Sequence, residues 1–81
     1  MTKYIEELNN GDSFTIDSII YILTTDFKRS GERSAVSTKD GRCRWFGPSQ
    51  IVNTCQLYSM DKDNNIIPIK ISEKPNAFNQ T

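Results

Sequence analysis

Residues 33–46, RSAVSTKDGRCRWF, place two alternating segments on either side of Lys39-Asp40-Gly41. Asp-Gly tolerates the positive φ that a tight primed turn demands, so the stretch reads as a β-hairpin from about Arg33 to Phe46. Residues two apart on a strand share a face. Arg42 and Arg44 are therefore expected together on one side of the second strand. Cys43 and Trp45 are expected on the other, the side that meets a core.

Working outward, the chain keeps the same short-strand rhythm. Upstream, Phe27 to Glu32 is a polar loop in which Gly31 supplies positive φ. The β-branched and aromatic run Ile19 to Thr25 suits a central strand. Asp17-Ser18 is a tight connection from an alternating segment, Ser13 to Ile16, that puts Phe14 and Ile16 on one face. Ile5 and Leu8 permit one helical turn, which Asn9-Asn10-Gly11 ends. Downstream, Gly47-Pro48-Ser49 breaks the sheet, and Ile51 and Val52 tuck back under the core. Thr54 to Met60 and Ile66 to Ile71 read as two further strands joined by the polar loop Asp61-Lys62-Asp63-Asn64-Asn65, with Pro68 marking an edge. The expected architecture is all-β, a small antiparallel barrel of five or six strands. It forms one domain over residues 1–71, followed by a polar, loosely ordered tail, 72–81, whose one anchor is Phe78.

Composition narrows the functional classes. A chain of 81 residues buries only ~60% of its unfolded surface, so self-association would help it, and a homo-oligomer is expected. The longest apolar runs, Ile19 to Leu23 and Ile66 to Ile69, fall far short of the ~20 residues of a membrane span. The opening residues lack the pattern of a secretion signal, which points to the cytoplasm. There, Cys43 and Cys55 are expected as reduced, buried thiols. Two cysteines with no histidine leave a zinc site short of ligands, and the missing histidine removes the commonest general base. Asp61-x-Asp63-x-Asn65 matches the first half of a calcium loop, but Ile66 stands where glycine belongs and Ser72 where a bidentate glutamate belongs. Glu6 and Glu7 read as solvated charge. No catalytic residue, metal or cofactor is expected, which leaves binding.

Charge is balanced in total and uneven in place. Residues 1–27 carry Lys3 against five acidic residues, a net of minus four, whereas residues 28–44 carry six basic against two acidic, a net of plus four. Arg33, Arg42, Arg44, Lys28 and Arg29 are the candidate ligands of an anion, because guanidinium forks engage two oxygens at once and so suit phosphate. Tyr21, Phe27, Trp45 and Phe46 lie near them in sequence and are candidate stacking platforms for a base, with Tyr21 and Trp45 also suited to the core.

Asn10-Gly11-Asp12-Ser13-Phe14, Tyr21, Thr25-Asp26-Phe27-Lys28, Asp40-Gly41, Arg44-Trp45-Phe46 and Asp61-Lys62-Asp63-Asn64 together resemble short proteins of tailed bacteriophages. The resemblance covers most of the chain and implies a Src-homology-3-like small barrel with no catalytic residue. It also implies an accessory factor in the host cell cytoplasm, of the kind that binds host molecules, among them inhibitors that sequester nucleotide second messengers of bacterial immunity. The expected ligand is thus a phosphate-bearing one, a nucleotide most sharply and single-stranded nucleic acid more broadly. The alternatives are a protein-binding adaptor or inhibitor, with the Pro68 strand pairing to a host protein, and a minor virion component.

Overall fold

A computed structural model describes residues 1–69. The expectations for the 72–81 tail, for Phe78 and for the last two residues of the final strand lie outside the described residues. Among the described residues eight strands form: β1 (Thr2–Tyr4), β2 (Ser13–Ile16), β3 (Ile19–Phe27), β4 (Arg33–Ser37), β5 (Cys43–Phe46), β6 (Ile51–Cys55), β7 (Tyr58–Met60) and β8 (Ile66–Pro68). A 3-10 turn, Ile5–Glu7, follows β1. The all-β class is as expected.

Six strands make one antiparallel sheet in the order β1-β6-β2-β3-β4-β5, and β7-β8 make a separate two-stranded ribbon. The meander β2 to β5 is built by local turns. Asp17 and Ser18 both take positive φ, at 52° and 67°, as a primed turn between Ile16 and Ile19 requires. At the next hairpin the loop is longer than a two-residue turn. The Ser37 N–H donates to the Arg42 carbonyl and the Gly41 N–H to the Ser37 carbonyl, both at 2.8 Å, so Gly41, at φ 75°, carries the reversal without positive φ at Asp40. Gly31, at φ 96°, sits so close to Pro48 that an added Cβ would lie 3.3 Å from its ring. The loop before β4 is thereby seated on the loop after β5.

The last large strand returns to the far side of the meander. Ile51 and Val52 begin β6, which pairs with β2 and with β1 (Thr2 opposite Asn53, Tyr4 opposite Ile51). The expected Thr54 to Met60 strand is divided by Gln56-Leu57 into the end of β6 and the whole of β7. Among the described residues no ladder joins β1 to β5, so the sheet is curled and open, with those two strands as its edges.

The concave face holds the core: Ile5, Leu8, Phe14, Tyr21, Leu23, Ala35 and Val52 are buried, with Ile16, Ile19 and Phe46 packed against them. Phe14 stacks on Tyr21 at 5.6 Å between ring centroids, and Phe46 meets both rings edge-on at 5.7 and 5.1 Å. Such offset and edge-to-face contacts match the ring quadrupoles. The 3-10 turn closes one end of the trough with Ile5 and Leu8. It is tied down by Ile5 N–H to the Gln50 carbonyl (2.9 Å) and Glu6 N–H to the Pro48 carbonyl (3.0 Å).

Neither cysteine is bonded and neither is buried: Cys43 is exposed and Cys55 half-buried, because Cys43 lies on the outer face of an edge strand. In the 61–65 loop the Asp61 carboxylate accepts the N–H groups of Asp63 and Asn65 and the Asn65 side-chain amide. These donors, Asn65 foremost, hold its carboxyl below the ordinary aspartate range. The Asp61 carboxylate thus organises the turn.

Candidate anion site at the end of the hairpin

The pairing of β5 with β4 decides which way the basic residues point. Arg44 stands opposite Ala35 and Phe46 opposite Arg33, whereas Trp45 is opposite Ser34 and Cys43 opposite Val36. Ala35 is fully buried, so Arg44 and Phe46 share the concave side while Cys43 and Trp45 face out. This reverses the expected orientation of the strand. Phe46 closes the aromatic cluster, and the Tyr21 hydroxyl, at the edge of the core, accepts a hydrogen bond from Arg44 Nη1 at 3.1 Å. Trp45 remains 46% exposed on the outer face, where the Lys28 ammonium lies 4.6 Å from its ring centroid.

The five cations expected to converge are instead divided among three places. Arg33 is a strut of the fold: its Nη1 donates to the carbonyls of Leu8 (2.6 Å) and Ile5 (3.4 Å), and its Nη2 to Asn10 Oδ1 (2.6 Å). Lys28 and Arg29 belong to the loop beside Trp45, where Lys28 also lies 3.9 Å from Glu32. Phe27, opposite Arg33 at the end of β3, is 73% exposed. Tyr21 is buried to its hydroxyl. Only Arg42 and Arg44 share a site.

That site is a hollow of about 370 Å³ lined by Ile19, Tyr21, Ser37, Asp40, Arg42, Cys43 and Arg44. It opens where β3 begins and the β4-β5 hairpin turns. Its volume is at the small end of the ~300–1,000 Å³ typical of small-molecule sites. No protein-family model, curated protein or solved structure matches the chain. The chemistry of the hollow therefore rests on its own residues. Two arginines against one aspartate leave a net of plus one in its lining. Arg44 spends one N–H on Tyr21, which orients the guanidinium and leaves its other donors directed elsewhere.

Asp40 competes less for Arg42 than its position suggests. Its Oδ1 accepts the Arg42 backbone N–H at 3.0 Å, and this bond is the main reason its carboxyl is held below the ordinary aspartate range, with the Ser37 hydroxyl and the Arg42 and Lys39 charges adding smaller parts. The Arg42 guanidinium is 4.0 Å away and its side chain 84% exposed, a geometry that contributes little as an ion pair. A depressed carboxyl stabilises the turn above the unfolded pKa of ~3.9, and that support is lost as pH falls through the lower folded value. In a carboxyl-carbon NMR titration Asp40 should titrate below an ordinary aspartate. Arg42→Ala should leave most of the depression in place, because the backbone donor survives. A return of Asp40 to the ordinary value in that variant means that the two side chains are a committed pair.

Sequence reasoning found Arg42, Arg44 and Tyr21 but missed Ser37 and Asp40, both read only as parts of a strand and a turn. The available signal was the hairpin itself: residues flanking a turn face each other across it, so Ser37 had to stand near Arg42. Among the described residues no group of three or more His, Cys, Asp or Glu side chains is arranged to hold a metal.

Proposed function

We propose that this chain is a non-enzymatic binding protein that captures a phosphate-bearing small molecule in the hollow between Arg42, Arg44 and Tyr21. The observation that carries the reading is the pair of guanidinium groups, two residues apart where the hairpin turn enters the edge strand β5, flanking a concavity in which no buried carboxylate neutralises them. Guanidinium forks suit phosphate oxygens, the Tyr21 hydroxyl and Ser37 add neutral hydrogen-bonding groups, and Ile19 offers an apolar wall. A nucleotide is the sharpest ligand class, and the resemblance to short bacteriophage proteins makes a second messenger of host immunity, sequestered in the host cytoplasm, the favoured example. Single-stranded nucleic acid is the broader class, favoured by the exposed Trp45 and Phe27 beside Lys28 and Arg29.

Calorimetry with cyclic mononucleotides, cyclic dinucleotides and pyrophosphate tests the reading directly. The double change Arg42→Ala, Arg44→Ala should weaken a bound nucleotide ~100-fold or more, since a hydrogen bond to a charged group contributes ~1.5–3 kcal/mol, and should lower the melting temperature by only about 5 °C, because the Tyr21 hydroxyl that loses Arg44 opens on the hollow and can take water instead. Nucleic acid as the ligand is distinguished by affinity for an oligonucleotide that falls steeply with salt and by quenching of Trp45 fluorescence. Absence of heat with every phosphate compound, together with no salt-sensitive oligonucleotide complex, overturns the proposal.

A further inference from the structure

The β7-β8 ribbon is the least supported element of the fold. Among the described residues no ladder joins it to the six-stranded sheet, and a two-stranded hairpin by itself is marginal in water. Its ladder sets Tyr58 opposite Pro68 and Met60 opposite Ile66, so these four side chains share one face by alternation. All four are exposed. Tyr58, Pro68 and the neighbouring Ile69 wall a hollow of about 740 Å³ whose opposite side includes Lys3 and Leu8.

We propose that this face is the seat of a second copy of the same chain, with the two ribbons packed face to face and antiparallel about a two-fold axis. Two features of the surface favour a copy over any other occupant. The first is area: the exposed parts of Tyr58, Met60, Ile66, Pro68 and Ile69, at ~200 Å² for a fully exposed large side chain, come to about 500 Å² per copy. Two copies remove about 1,000 Å² from water, the size at which specific interfaces begin. The second is charge. Residues 56–60 and 64–69 contain no charged side chain, so nothing repels when the faces meet. The ribbon tip carries Asp61, Lys62 and Asp63, a net of minus one, while Lys3 stands at the far end beside Tyr58 and Pro68. Asp12, the other charged side chain of the hollow, accepts the Asn9 N–H at 2.8 Å. An antiparallel arrangement brings the acidic tip of each copy over the Lys3 end of the other. It also lays Met60 and Ile66 of one copy over Tyr58 and Pro68 of the other, filling the hollow. An isologous contact of this kind closes on itself as a dimer. The inference does not depend on the anion site, which lies on β5 away from the ribbon.

Sedimentation equilibrium of the full chain at ~100 µM, a concentration suited to an interface of this modest size, should report a dimer. Met60→Asp with Ile66→Asp buries unpaired charge at the contact and should weaken association more than ~100-fold, with the near-ultraviolet circular dichroism of the core retained. Lys3→Glu, on the exposed rim, should weaken the dimer ~3- to 10-fold, and adding Asp63→Lys should restore it. If the Met60, Ile66 double variant does not fold, the charge reversal and its rescue decide the matter. A wild-type chain that stays monomeric, or a dimer indifferent to the reversal, overturns the proposal.

Discussion

Phe14→Ala is expected to remove most of the stability of the domain at 25 °C. Phe14 is fully buried, stacked on Tyr21 and met edge-on by Phe46, so its removal takes away the ring around which the other two are arranged. Truncating a buried phenylalanine costs ~3–5 kcal/mol through lost transfer energy and the cavity left behind. A domain of this length has a total stability at the low end of the ~5–15 kcal/mol range. At roughly 4–8 °C per kcal/mol for so small a protein, the melting temperature should drop by ~15–30 °C. Phe14→Leu, which keeps an apolar side chain in the site, should lose much less. Thermal and urea melts followed by circular dichroism measure both. A Phe14→Ala protein that melts within a few degrees of the wild type would show that the trough is not the core.

Arg33→Ala should be nearly as damaging, for a different reason. Its guanidinium satisfies two backbone carbonyls of the turn that closes the trough, at Ile5 and Leu8, and the Asn10 amide oxygen. Removing it leaves acceptors with only the water that can reach them, a loss of ~1–3 kcal/mol for each poorly hydrated group. Because these groups are only partly buried, the expected total is ~2–3 kcal/mol, or ~10–20 °C in melting temperature. Arg33→Lys should recover a minor share, since one ammonium cannot reproduce the planar fork. Below its melting temperature, Arg33→Ala should still bind phosphate compounds within about twofold of the wild type. That separates it from the Arg42, Arg44 double variant, in which affinity falls steeply and stability only slightly. A large loss of affinity in folded Arg33→Ala would return Arg33 to the binding site.

What could be read from the sequence was whatever local chemistry decides. The hairpin around Gly41, the reversal at Asp17-Ser18, the break at Pro48 and the long strand from Ile19 each follow from a few adjacent residues. The placement of β1 and β6 was not legible, because Thr2–Tyr4 gains its structure from a partner strand some fifty positions away. Alternation along β5 correctly divided Arg44 from Cys43 and Trp45 but did not tell which set faces inward. Trp45 has the larger apolar area, yet Phe46 completes the contact with Phe14 and Tyr21, and the Tyr21 hydroxyl has Arg44 as its donor. The dispersal of the cationic cluster was hidden for a related reason. Arg33 is bound mainly by main-chain oxygens, which leave no trace in composition, so counting charges assigned it to a ligand it does not face.

The order of strands also sets a timetable for biosynthesis. β6 is inserted between β1 and β2, so as the chain leaves the ribosome the meander from β2 to β5 emerges whole while its inner margin stands unzipped. β1, made before the meander, has nothing to pair with until Ile51–Asn53 has emerged. A strand that precedes the whole meander is thus among the last to find its place. In that interval the exposed flank of β2, with Phe14 on it, is the point at which a nascent chain is most open to pairing with a neighbour.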